Sequence, residues 1–235
     1  MQNTGEPPLR VNGLLAAFWE RDGSQLFHGD CLQLLPHLPV ADLYLLDLPY
    51  GIALTDLHFG KSPTDRRVEV ENDHDQEFGV KLLEELRGPV ISFASPMKPW
   101  PGKWRQHLVW DKGPAVGAGG DYQREWKRSW ELIQVRDTPL LTGQRDEGVL
   151  RFHVGAKDCQ LHPCQKPTKL LRYLIRKATK ATKPGDLVID LTCGSGSTIR
   201  AAVDVGRRGI GVESRLEFIE IAAERMRQRM LFSCG

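Results

Sequence analysis

The sequence predicts an α/β fold with a mostly parallel sheet, and three observations carry that expectation. Short apolar runs that suit buried strands alternate with amphipathic stretches that suit helices. Two of the apolar runs end in an aspartate followed at once by turn-forming residues, Asp47-Leu48-Pro49-Tyr50 and Asp190-Leu191-Thr192-Cys193-Gly194. The chain has 235 residues, which suits one domain, 1–235, with enough length to bury a substantial core.

Taken in order, residues 1–12 read as a polar tail and 13–21 as a helix. Residues 25–28 form a short strand ending at Gly29-Asp30, and 42–46 a buried strand stopped by Pro49-Tyr50-Gly51. Residues 51–75 are polar, charged and rich in turn formers, and are expected to be a mobile loop. A helix over 76–87 is broken by Gly88-Pro89 ahead of a strand at 90–93. Strands follow at 108–110 and 149–154, with a flexible connection at 113–120. Residues 168–181 form an amphipathic helix with Leu170, Leu171, Leu174, Ile175 and Ala178 on one face. Then come a strand at 187–189, a small-residue loop, and a helix to about Val205 capped by Gly206. A strand at 209–212 and a helix from about Leu216 to Met230 complete the pattern.

The formal net charge of +2 does not announce a nucleic-acid binder, so any such role must rest on local clustering. No apolar run is long enough to span a bilayer, and no targeting signal opens the chain. The five cysteines, Cys31, Cys159, Cys164, Cys193 and Cys234, are expected to be reduced in a cytoplasmic protein. Cys159, His162 and Cys164, with His153 nearby, lack the second ligand pair of a zinc site, and no metal is expected.

The glycine loop follows a strand end, where α/β sheets bind ligands. A dinucleotide fingerprint needs glycine or alanine three residues after Gly196, and Ile199 stands there. Asp190 would repel phosphate but suits a cation, such as the amino group of S-adenosylmethionine. Glu213 ends the next strand and can accept from ribose hydroxyls. A generic strand-loop-helix turn remains the bland alternative, which Glu213 argues against.

Asp47, Leu48, Pro49 and Tyr50 suit a base carrying an exocyclic amine. That nitrogen is a poor nucleophile because its lone pair is delocalised into the ring. Two acceptors, the Asp47 carboxylate and the Leu48 carbonyl, would favour its pyramidal form. Pro49 fixes φ, and Tyr50 offers a stacking face. Cys193 is not expected to be a nucleophile, since attack on a pyrimidine carbon needs a cysteine in the catalytic loop.

These two loops, with His162-Pro163-Cys164-Gln165-Lys166-Pro167, resemble the DNA amino-methyltransferases of the N6-adenine/N4-cytosine family, in the β-group order that places the catalytic motif first. The resemblance runs from about residue 24 to about residue 225. It implies the Rossmann-like S-adenosylmethionine-dependent methyltransferase fold, with a seven-stranded mostly parallel sheet and a circularly permuted motif order. It implies that Asp30 meets the cofactor adenine and that Lys166 and Pro167 help enclose the methionine end. Asp190, Leu191, Thr192, Cys193, Gly194, Ser195, Gly196, Thr198 and Glu213 complete the expected cofactor site. Segments 108–112 and 130–133 resemble later family strands. Leu48 replaces the family's commoner proline, Thr192 a common phenylalanine, and Cys164 a common threonine.

Trp100, Trp104, Trp110, Trp126 and Trp130 are interleaved with Lys98, Lys103, Arg105, Lys112, Arg124, Lys127 and Arg128. As a cluster they are expected to face double-stranded DNA, with the target base flipped out to meet Asp47. Segment 111–160 is the expected target-recognition region. Adenine N6 is the first expectation, because aspartate opens the catalytic motif. Cytosine N4, RNA or protein methylation, a non-catalytic binding subunit and a nicotinamide oxidoreductase follow in that order. A homodimer and a companion restriction endonuclease are both compatible with the pattern.

Overall fold

The computed structural model describes residues 10–11, 14–51, 75–114, 123–124, 126–137, 141–154, 166–180 and 185–228. Within them lie two short paired strands, β1 (Arg10–Val11) and β2 (Leu14–Leu15), and then β3 (Trp19–Arg21) and β4 (Ser24–His28). Helix α1 (Cys31–Leu34) and a 3-10 turn at Leu35–His37 lead to β5 (Leu43–Leu46). Helix α2 (Glu77–Glu85), β6 (Val90–Ala94), β7 (Gln106–Asp111), β8 (Trp130–Arg136) and β9 (Val149–Arg151) follow. The last segment is α3 (Thr168–Ala178), β10 (Leu187–Asp190), α4 (Ser197–Asp204), β11 (Arg208–Glu213) and α5 (Leu216–Arg227).

Nine of the described strands form one sheet in the order β3-β4-β11-β10-β5-β6-β8-β7-β9. The five from β4 to β6 run parallel, while β8 is antiparallel to both its neighbours. The α/β, mostly parallel architecture is as expected. The strand number is not: the seven from β4 to β7 carry an additional strand at each edge, β3 antiparallel to β4 and β9 parallel to β7.

Central strands are largely apolar because both their faces are covered. All four residues of β5 are buried. Tyr44 and Leu46 join a core with Leu82, Leu83, Leu86 and Trp100 on one side, and Leu43 and Leu45 join the α3 and α4 side chains on the other. The α3 face is the one predicted, with Leu170, Leu171, Leu174, Ile175 and Ala178 all buried. A smaller core joins Leu26, Cys193, Ile199 and the inner face of α5.

The expected helix over 13–21 is absent, and β2 and β3 stand within that range. Trp19–Arg21 pairs antiparallel with Ser24–Leu26 across Asp22 and Gly23, at φ +50° and +74°. Two positive φ values in a two-residue turn match the twist of a hairpin, and Asp-Gly is the pair that adopts them most readily.

Candidate active site

The topology gathers four carboxyl residues at one edge of the sheet. Asp30 follows β4, Glu213 ends β11, Asp190 ends β10 and Asp47 follows β5, and these four parallel strands are consecutive neighbours. After β10 the chain turns towards β11, whereas after β5 it continues to β6 on the other side. The gap between β10 and β5 is therefore a topological switch point, where open α/β sheets form ligand crevices.

Asp190 is 2 % exposed and accepts a hydrogen bond from the Thr192 amide at 3.1 Å. Burial pushes its carboxyl up to about 7; Thr198 and the Thr192 amide oppose that shift, and the negative charges of Asp47 and Glu213 add to it. Glu213 accepts from the Gly194 amide at 2.9 Å and from the Arg215 amide at 2.9 Å. Its carboxylate thus ties the glycine loop to the neighbouring strand and keeps further lone pairs. Asp30 caps α1, accepting from the Leu32 amide at 2.8 Å.

The loop's glycines differ in purpose. Gly194 has φ +50°, and a Cβ built there would meet nothing within 4 Å, so it borders open space. Gly196 has φ +77°, and its Cβ would stand 2.9 Å from that of Ala222 on α5, so it permits close packing. Cys193 turns its thiol into the α5 core, and burial raises its pKa well above the ordinary value, in keeping with the expectation that it is no nucleophile. Leu191 is also core, Ser195 and Thr198 are buried, and Ser197 accepts from Arg225 at 2.9 Å. The Thr192 hydroxyl donates to the Asp47 carbonyl at 3.3 Å, a direct link between the glycine loop and the Asp-Leu-Pro-Tyr loop.

In that second loop, the Leu48 side chain is 1 % exposed and packs in the core. Pro49 is half-buried. The Tyr50 hydroxyl lies 2.9 Å from an Asp47 oxygen and 3.1 Å from a Glu131 oxygen, and its proton is shared between them. Burial, then the two carboxylates, raise the Tyr50 pKa well above the phenolic value, so the hydroxyl stays a donor. Lys166, just ahead of α3, places its ammonium 2.8 Å from Asp47 and 3.3 Å from Glu131. It also lies 5.5 Å from the Tyr50 ring centroid and 5.0 Å from that of Phe93. Lys112 pairs with Glu131 at 3.1 Å. Burial works against ionising Glu131, but Lys166 and Lys112 outweigh it and hold the carboxyl below its ordinary range. The result is a sheltered cluster of two carboxylates and two ammonium groups, the balanced form in which buried charges persist.

Glu131 and Lys112 join the site through the antiparallel pairing of β8 with β6 and β7. Leu132 is opposite Ala94 and Trp110 opposite Glu131, which brings the start of β8 to the edge where Asp47 lies. An acid within Trp-Glu-Leu-Ile was the sole local sign of Glu131, and the pairing that delivers it is long-range. Lys98 donates to the Gly51 carbonyl at 2.8 Å and so pins the end of the Asp-Leu-Pro-Tyr loop.

The tryptophan cluster divides. Trp100 and Trp110 are each 2 % exposed and donate to the carbonyls of Phe93 and Phe152, so they are core. Trp104 is half-buried under Arg136. Trp126 is 95 % exposed and Trp130 41 % exposed, beside exposed Arg124, Lys127 and Arg128. Trp100 and Trp110 thus leave the expected DNA-facing cluster, while Trp126, Trp130 and the exposed Lys103, Arg105, Arg124, Lys127 and Arg128 remain candidates for it. Most of segment 51–75, all of Cys159, His162, Pro163, Cys164 and Gln165, and parts of 111–160 lie outside the described residues. No group of metal-binding side chains occurs among the described residues, and no described helix is long and apolar enough to cross a membrane.

A family model for DNA methylases matches residues 100–224, which include Lys166, the glycine loop and Glu213. Type II methyltransferase M2.DpnII of Streptococcus pneumoniae is 42% identical over 65 residues, 28% of this chain and 23% of that protein. The match thus spans under a quarter of that relative's length. Among solved structures, an M1.HpyAVI-SAM complex aligns with a TM-score of 0.60 and 19% identity over 85% of this chain and 98% of that one. The PvuII DNA methyltransferase, described as cytosine-N4-specific, aligns with a TM-score of 0.65 and 16% identity, over 89% and 88% respectively. These likenesses cover most of the chain and establish a shared fold.

Proposed function

The chain belongs to the DNA methylase family, and on that premise we propose that it transfers a methyl group from S-adenosylmethionine to the exocyclic N6 amine of adenine in a short DNA sequence. The observation that carries this reading is the meeting of two loops at one switch point, joined by the hydrogen bond from Thr192 to the Asp47 carbonyl. The residues of the glycine loop fit the cofactor. Open space adjoins Gly194, Asp190 offers a carboxyl suited to a cation, and Glu213 has lone pairs left for hydroxyl groups. Bound there, the cofactor supplies an electrophilic methyl group on a sulfonium.

The rest of the chemistry belongs to the chain. The Asp47 carboxylate accepts one N–H of the amine, and the Leu48 carbonyl the other, drawing the nitrogen lone pair out of the ring. Asp47 then takes the proton that the amine gives up on gaining its methyl group. Tyr50, anchored by its hydroxyl, stacks on the flipped base. Aspartate at position 47 favours adenine by family resemblance, and cytosine N4 presents the same amine chemistry. Residues 111–160 are the proposed target reader. In an assay with labelled cofactor, Asp47→Ala should lower methyl transfer to DNA by roughly 10²-fold or more while leaving cofactor binding intact. Undiminished transfer by that variant would refute the assignment.

A further inference from the structure

Asp47 poses a problem for the proposed reaction. The carboxylate that must accept the substrate amine is held by the Lys166 ammonium at 2.8 Å. An amine cannot use it fully while that ion pair persists, and a sheltered ammonium cannot simply be released without a partner. Glu131 answers both needs. Its carboxylate is 3.3 Å from the same ammonium, its side chain is only 17 % exposed, and it shares the Tyr50 hydroxyl with Asp47. Lys112 anchors its other oxygen at 3.1 Å. We propose that Glu131 is a positioning residue that takes over the Lys166 ammonium when a substrate amine engages Asp47, and that retains it while Asp47 carries the amine proton.

The geometry makes the exchange small. Lys166 already bridges the two carboxylates, so a shift of a few tenths of an ångström changes its main partner. The Tyr50 hydroxyl can follow by turning its proton to Glu131. The exchange of partners itself moves no charge into or out of the cluster; the proton that Asp47 then accepts adds one positive charge to it. With Asp47 protonated, Glu131 and the two lysines remain, and Glu131 is the sole anion of the four-residue cluster left to balance Lys166.

The inference rests on the methyltransferase reading, so its test has one arm that needs no activity. In a crystal structure of Asp47→Asn, the Lys166 ammonium should settle on Glu131 at about 3 Å or less, as charge-assisted pairs do. An ammonium that has left Glu131 would overturn the proposal. The kinetic arm compares Glu131→Gln with Glu131→Gln/Lys166→Met, with cofactor binding and thermal melting confirming that each variant is folded. Glu131→Gln keeps the size and an acceptor for Tyr50 but loses the charge, and kcat should fall roughly 10²-fold with little change in cofactor KM. Removing the stranded ammonium should then restore kcat by about tenfold or more, a recovery that a merely structural role would not produce. An unchanged kcat in Glu131→Gln, or a double variant no faster than the single one, contradicts it. A wild-type protein that binds cofactor yet methylates no DNA would instead refute the proposed function, and the Asp47→Asn structure would still decide the role of Glu131.

Discussion

On the proposed function, Asp190 trades stability against binding. In the ligand-free protein its carboxyl is raised from the ordinary 3.8 to about 7, chiefly by burial. Between those values the folded state holds a proton that the unfolded chain releases, so this group's contribution to stability is full below pH 4 and is lost as pH rises towards 7. A cationic ligand beside it favours the ionised form. Cofactor affinity should therefore strengthen as pH rises through about 7 and level off above it. Calorimetric titrations between pH 6 and 8.5 check this, and a flat profile would count against Asp190 as the cation's partner. Asp190→Asn removes the cost of the buried charge, and at pH 8 it should stabilise the ligand-free protein by on the order of 2 kcal/mol while weakening cofactor binding. Asp47, Asp190 and Glu213 could be read from the sequence because each ends an apolar strand and opens a turn. Glu131 could not, since nothing local marks an acid in the first residues of a strand as part of a site two strands away.

Among the elements, the turn from the glycine loop into its helix is tightly constrained. Gly196 needs its left-handed backbone and also the absence of a side chain against Ala222. Gly196→Ala should lower stability by about 1–3 kcal/mol in a denaturant titration, and a melt equal to wild type would show that α5 can shift to make room. The inner face of α3 was legible because five apolar residues repeat at helical spacing. The helix expected over 13–21 was a misreading of an apolar run whose next residues, Asp22-Gly23, carry a hairpin turn signal. That turn, with Trp19 packed beside the α5 core, favours a strand over the helix suggested by local composition.

For the whole molecule, parallel order brings the glycine loop and the Asp-Leu-Pro-Tyr loop together although 142 residues lie between Asp47 and Asp190. Alternating strands and helices revealed the fold class, but they did not reveal the edge strands β3 and β9 as additions to a sheet of seven. The tryptophans were legible in number and not in purpose, because burial depends on the sheet pairing that sends Trp100 and Trp110 inward. Trp126 stays exposed in the segment just ahead of β8, among basic residues. Trp126→Ala should leave the melting temperature unchanged and weaken DNA binding by about 1–3 kcal/mol, the worth of one stacked base, whereas Trp110→Ala should destabilise the fold by about 3–5 kcal/mol. Equal DNA affinity for wild type and Trp126→Ala would remove that residue from the interface. The central claim is tested most directly by incubating the protein with S-adenosylmethionine and unmodified DNA, digesting to nucleosides and identifying products by mass spectrometry. N6-methyldeoxyadenosine is the expected product; DNA left unmethylated by protein that demonstrably binds the cofactor would contradict the adenine-methyltransferase assignment.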